Sequence, residues 1–251
     1  MIVTYFIFAT VFAAAVLIRK AGIDSATIQG LAAAYGNIGY MGPGIAILAF
    51  GEKAAVPVAL IFCFENLMHF AVAPMMMALA GDDKRPPAQL ALDVVRKIAF
   101  HPFIMATAAG VLAAAVHFQP PLPVSRLIDY LAQAAAPCAL FAMGVTLALR
   151  PLKRVPPELG YIVPMKLIVH PLLMYLAMSW VGDFDRIWVF TAMLLASLPT
   201  ATNVFVIGQQ YGVWTERASA CILVTTVTSV ATVSILLWLI TSGTLPADLF
   251  P

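Results

Sequence analysis

Charge is what this sequence has least of. Asp, Glu, Lys and Arg make up 10% of the 251 residues and hydrophobic residues 62%, whereas soluble globular domains carry about a quarter charged residues. Such a chain cannot cover itself with polar surface, which excludes an ordinary water-soluble domain. Long polar connections are also missing. The longest runs from Gly81 to Arg96 and leaves no room for a separate soluble domain. No β-alternation, low-complexity tract or long charge run is present. The three cysteines, Cys63, Cys138 and Cys221, lie far apart in apolar runs. That excludes a disulfide framework and paired metal-ligand spacing, and leaves them as helix filler. Met75, Met76 and Met77 read as filler in the same way. Neither H-E-x-x-H nor G-x-S-x-G occurs, so an intramembrane enzyme would lack its usual constellations, and no Walker-type phosphate loop points to ATP drive. No cofactor, metal or nucleic-acid partner is expected.

What the chain does have is runs of about 20 apolar residues, the length that spans a bilayer as helix. Eight helices are expected, over 1–18, 26–50, 55–80, 97–118, 124–149, 159–181, 186–210 and 217–241. The first is no secretory signal, because its basic residues, Arg19 and Lys20, follow the apolar stretch instead of preceding it. Basic residues sort by face. Arg19, Lys20, Lys84, Arg85, Arg96, Lys97, Arg150, Lys153, Arg154 and Arg217 fall on one side of the expected bundle, and Lys53, Arg126 and Arg186 on the other. The positive-inside rule makes the first face cytoplasmic and puts both termini outside. A bacterial inner, or plasma, membrane is the expected location.

Two of the eight segments are interrupted. The second contains Tyr35-Gly36-Asn37-Ile38-Gly39-Tyr40-Met41-Gly42-Pro43-Gly44, and the seventh Ser197-Leu198-Pro199-Thr200-Ala201-Thr202-Asn203. Proline removes a backbone donor and glycine frees the backbone, so residues 36–44 are expected to unwind. Unwound backbone at membrane depth survives only inside protein or along a wet cavity. Transporters use such breaks to aim half-helix N-termini at anionic groups. Close packing of kinked helices is the plainer alternative. An asparagine beside each break (Asn37, Asn203) favours the cavity, because a bare amide in hydrocarbon is costly.

The positions of the breaks also suggest a repeat. Helices four to eight form a set of five with the break in its fourth member. The same plan in the first half would place two helices before Met1. An odd repeat must be inverted, so the two breaks would cross. The expected fold is therefore an all-α integral membrane protein with eight transmembrane helices, the remnant of a 5+5 inverted-repeat fold with two crossed broken helices. Residues 1–80 would be the remainder of the first repeat, 81–96 a cytoplasmic loop, 97–241 the second repeat and 242–251 an outer tail. A shortened, non-transporting fragment of a carrier is the alternative that this arithmetic raises.

These residues resemble the auxin efflux carrier family, which includes bacterial carriers of malonate and other small carboxylates. The resemblance is most specific from Ala196 to Gly208, continuing through Gln209-Gln210-Tyr211-Gly212, Ala218-Ser219, Thr225-Thr226 and Ser229, and at Tyr35 to Gly44. It implies crossed broken helices, a scaffold part and a transport part, and secondary transport of an organic anion such as a dicarboxylate. Members are often dimers, so a homodimer is implied, with membrane lipid around it. Many members carry a residue between the positions of Gly42 and Pro43, which here are adjacent. The expected substrate-binding residues are Asn37, Gly39, Gly42, Pro43, Pro199, Thr200, Thr202 and Asn203.

Ionisable residues inside apolar segments form a second group. Glu65 and His69 are spaced i and i+4 on one helix face, as are Lys166 and His170. Intramembrane ionisable groups mark proton relays, ion pairs or substrate paths. Lys166 could attract an anion, pair with Glu65, or snorkel to an interface. H+ is the expected coupling ion. Na+ is less favoured, because the crossing lacks a carboxylate. The polar residues Thr225, Thr226, Thr228, Ser229 and Ser234 read as helix-packing groups.

Overall fold

A computed structural model describes residues 1–81, 86, 89, 92, 95–96, 99–100, 102–149, 155–182 and 184–249. Among them the regular structure is helical, apart from one isolated β-bridge. Helix α1 is Ile2–Leu17, α2 Ile23–Ala34 and α3 Ile38–Phe50. A short 3-10 turn at Glu52–Ala54 leads into α4, Ala55–Leu67, then a π turn at Met68–Val72 and α5, Ala73–Leu79. Helices α6 (Pro102–Ala115) and α7 (Leu122–Ala148) follow. Then come α8 (Leu159–Pro164), a second π turn at Met165–Val169, α9 (His170–Val181), α10 (Arg186–Ser197), α11 (Thr202–Tyr211) and α12 (Thr215–Thr241). Three continuous helical runs among the described residues, Glu52–Leu79, Leu159–Val181 and Thr215–Thr241, are long and apolar enough to cross a membrane. The connection 81–96 lies largely outside the described residues.

Both π turns have a local cause. Pro74 and Pro171 each stand in the first turn of the helix that follows. A proline ring collides with the carbonyl four residues back, and widening the preceding turn by one residue relieves the clash without ending the helix.

The breaks are narrower than the glycine and proline content suggests. Only residues 35–37 and 198–201 leave the helical path. Pro43 lies inside α3, which corrects the expected unwinding of 36–44. Because α3 starts at Ile38, Pro43 falls in its second turn and removes one hydrogen bond, the one to the Gly39 carbonyl, whose residue carries no Cβ to crowd the ring. Glycine in that stretch serves packing instead. A Cβ on Gly39 would stand 2.9 Å from the Phe62 ring, and one on Gly42 would stand 3.0 Å from both Ile38 and Leu195 side chains.

Two of the apolar core clusters among the described residues frame the breaks. One gathers Ile7, Phe8 and Val11 of α1, Ile28 and Leu31 of α2, Leu159 and Ile162 of α8, Val204 and Ile207 of α11, and Cys221. The other gathers Ile38 and Ala46 of α3, Val58 and Phe62 of α4, Leu194, Leu195 and Leu198, and Val233. Chain direction through them is opposite. The α2–α3 segment passes from the first cluster to the second, and α10–α11 passes from the second to the first. The segments therefore run antiparallel, and the breaks lie where the clusters meet.

The edges of this body are tied down by polar contacts. Arg217 reaches Glu158 at 2.6 Å, and Arg19 approaches the same oxygen at 3.8 Å. Arg19 also lies over the Tyr161 ring, whose hydroxyl donates to Gln29. At the other end, the Tyr175 hydroxyl donates to the Pro246 carbonyl at 2.6 Å and pins the C-terminal tail.

Candidate functional site

The two interruptions touch through their main chains. The Asn37 N–H donates to the Pro199 carbonyl at 2.8 Å, and the Ala201 N–H donates to the Tyr35 carbonyl at 3.0 Å. Gly36 and Thr200 face each other between these bonds as a single antiparallel bridge. Each unwound stretch thereby satisfies the other's backbone groups, which answers the demand that such groups be paired away from water. Thr200 locks the joint from the side. Its hydroxyl donates to the Ala32 carbonyl at 2.7 Å near the end of α2, and its N–H donates to the Thr225 hydroxyl at 3.2 Å.

Four helix ends converge here, the C-termini of α2 and α10 and the N-termini of α3 and α11. Neither N-terminus carries a side-chain cap from its own N-cap residue, and the positive ends of both dipoles point to the joint. The C-terminus of α10 is answered by a cation. Lys166, fully buried, donates from Nζ to the Ala196 carbonyl at 2.8 Å. The ammonium lies against the joint itself: a Cβ added to Gly36 would be 3.2 Å from both Lys166 Nζ and the Leu195 carbonyl.

The residues expected to bind substrate divide into two layers. Asn37, Gly42, Pro199 and Thr200 are buried inside the crossing. Gly39 is exposed, and Pro43, Thr202 and Asn203 are half-buried, so these four border the open side. A hydroxyl links the layers. Asn203 Nδ2 donates to the Tyr35 hydroxyl at 3.3 Å, which donates to Asn66 Oδ1 at 3.1 Å. Asn66 Nδ2 is buried and finds no hydrogen-bond partner among the described residues.

The described ionisable residues Glu65, Lys166 and His170 converge on the same place. His69 lies in the widened turn after α4, and its ring lies outside the described part of the structure. Glu65, 4% exposed, accepts from the Thr4 hydroxyl at 3.3 Å, and the Gly36 amide also supports its carboxylate. Its Oε2 is buried with no hydrogen-bond partner among the described residues. Thr4 Oγ1 is 3.3 Å from His170 Nε2, and His170 Nδ1 is 3.1 Å from Lys166 Nζ. Lys166 therefore does not snorkel and does not pair directly with Glu65. Each lies in the other's Coulombic field. Burial of both charges in a dry core requires such mutual support.

Sequence reasoning missed Thr4, Tyr35 and Asn66 as members of this site and took Thr225 for a packing residue. A hydroxyl in an apolar helix carries no local signal of what it will face. Tyr35 and Asn66 stood beside singled-out residues, and that adjacency was the one available hint.

The chain matches the profile of the family described as "Membrane transport protein" over residues 1–239. It is 71% identical over 248 residues to the "Putative malonate transporter" of Rhizobium meliloti (strain 1021), an alignment that covers 99% of this chain and 78% of that protein. It is 25% identical over 222 residues to an "Uncharacterized transporter" of Methanothermobacter thermautotrophicus (strain ATCC 29096), covering 88% of this chain and 70% of the relative.

Proposed function

The chain belongs to the membrane transport protein family, the auxin efflux carriers, and is an integral membrane transporter rather than an enzyme; from that premise we propose that it carries a small dicarboxylate, malonate or a close analogue, at the crossing of its broken helices. The observation that carries this reading is the joint at Gly36 and Thr200. It brings two helix N-termini and the Lys166 ammonium to one buried locus. A dianion needs positive potential without loose counterions, and fixed dipoles with one buried cation supply it. The exposed Gly39 and half-buried Thr202 and Asn203 receive the substrate first. The sealed Asn37 engages when the crossing opens. The 71% identity to a protein named for malonate favours a short dicarboxylate over a bulky aromatic anion.

In the same reading, eight helices cross a bacterial inner membrane with both termini outside, in a 5+5 inverted-repeat plan, and the chain works as a homodimer. The opposed passage of α2–α3 and α10–α11 between the two apolar clusters supports the inverted plan. The coupling ion is H+. Lys166 already holds the α10 C-terminus, where carriers otherwise place Na+.

Uptake of labelled malonate into proteoliposomes is the test. Wild-type protein is expected to accumulate malonate when a pH gradient is imposed and not when a Na+ gradient is. Asn203→Ala and Asn37→Ala are each expected to lower transport at least tenfold, because a hydrogen bond to a charged group is worth about 1.5–3 kcal/mol. Full transport in the double variant would sink the crossing as the binding site.

A further inference from the structure

The hydrogen bonds around Thr4 have a single consistent direction. An ammonium can only donate, so Lys166 Nζ must donate to His170 Nδ1. A neutral imidazole that accepts at Nδ1 carries its proton on Nε2, and Nε2 then donates to Thr4 Oγ1. Thr4 in turn donates to Glu65 Oε1. Lys166 only donates and Glu65 only accepts, while His170 and Thr4 between them each accept once and donate once. All four side chains are buried: Thr4 is 1% exposed, Glu65 4%, and Lys166 and His170 0%.

We propose that Glu65, Thr4, His170 and Lys166 form a proton wire in which the Thr4 hydroxyl is the indispensable link, so that one concerted shift exchanges an ionised Lys166–Glu65 pair for a neutral one. In that shift Lys166 gives a proton to His170 Nδ1, and His170 releases its Nε2 proton to Thr4. Thr4 then releases its own proton to Glu65 Oε1. Each bond to hydrogen that breaks is matched by one that forms, and no outside acid or base is consumed. Every hydrogen bond survives with its direction reversed, because a neutral lysine amine accepts from Nδ1–H and still donates to the Ala196 carbonyl. Glu65 Oε2, buried and without a hydrogen-bond partner among the described residues, is the atom left for exchange of that proton with the transport path.

The consequence lies at the crossing. With Lys166 charged, the joint at Gly36 attracts a carboxylate. With Lys166 neutral, the site loses the charge that holds the anion and neither buried group remains ionised. Thr4 is thus a positioning residue for proton coupling and contacts no substrate itself. The inference rests on the proton-coupled reading above. Among the described residues, and besides the wire's own members, the titratable groups in the field of Glu65 are the Tyr5 and Tyr35 phenols and the Met1 amino group, which also acts on His170.

The test compares wild type, Thr4→Ser and Thr4→Val, reconstituted with malonate as probe, by labelled uptake and by a pH dye inside the vesicles. In parallel, infrared spectra of the purified protein follow the carboxyl band that disappears in Glu65→Gln. Thr4→Ser is expected to keep both the proton-to-malonate ratio and the Glu65 titration. Thr4→Val, equal in shape but without the hydroxyl, is expected to bind malonate while its coupled uptake falls at least tenfold and the Glu65 band no longer responds to Lys166→Met. Wild-type coupling and an unchanged Glu65 response in Thr4→Val would overturn the wire. If wild type takes up malonate without protons, the coupling reading falls and the wire's role with it. If wild type takes up no malonate, the substrate reading falls, and the infrared comparison alone decides the wire.

Discussion

Lys166→Met is expected to abolish malonate transport and to destabilise the protein by about 3–5 kcal/mol, the cost typical of leaving one member of a buried charge system uncompensated. Methionine matches the length and flexibility of the lysine stem, so the loss is electrostatic and not a cavity effect. Three groups are stranded at once. The Ala196 carbonyl loses its donor at the α10 C-terminus, His170 Nδ1 loses its donor, and Glu65 loses the cation at the far end of its hydrogen-bond network. Adding Glu65→Gln removes the uncompensated carboxylate and is expected to restore part of the stability, with a coupling of about 1–3 kcal/mol, but none of the transport. Thermal unfolding of the four proteins in detergent, paired with uptake assays, measures both. A Lys166→Met protein that melts with wild type and still transports would show that the ammonium is a bystander at the joint.

The positions of the helices could be read from apolar run length, and the breaks from Pro199 and the glycines around Asn37, because these signals are local. What could not be read is how far each break extends. Pro43 sits in a helix since only one hydrogen bond is forfeited there and Ile38, Ala46 and Leu195 pack around the turn. Glu65 and His69 looked like partners because a 3.6-residue period puts i and i+4 together. Among the described residues, Glu65 finds a partner on α1, Thr4, 61 residues away in sequence, and the ring of His69 lies outside them. Lys166 and His170 do meet at i and i+4, even across a widened turn. The convergence of the crossing and the ionisable group at Gly36 is a tertiary fact. No spacing in the sequence encodes it, since it depends on α2–α3 and α10–α11 running in opposite senses between two clusters.

That convergence makes Gly36 the position of greatest expected effect after Lys166. Gly36→Ala is expected to cost about 1–3 kcal/mol, the usual range for forcing a methyl into a filled core, and Gly36→Val more. The backbone of Gly36 needs no conformation closed to other residues, because its φ is not positive; space alone is limiting. An added Cβ meets the Leu195 carbonyl and Lys166 Nζ at 3.2 Å each. The carbonyl belongs to a helix end and cannot yield, so either Lys166 leaves the Ala196 oxygen or the strands of the joint part. The first outcome disturbs the charge, the second breaks the Asn37–Pro199 and Ala201–Tyr35 bonds. Both are expected to lower transport by more than tenfold in Gly36→Ala and to background in Gly36→Val. Gly160→Ala, whose added Cβ meets nothing within 4 Å, is the matched control and is expected to leave uptake unchanged. Equal uptake in Gly36→Val and Gly160→Ala, measured on vesicles with equal protein content, would mean that the joint can open by a methyl's width without consequence, and that the substrate passes elsewhere.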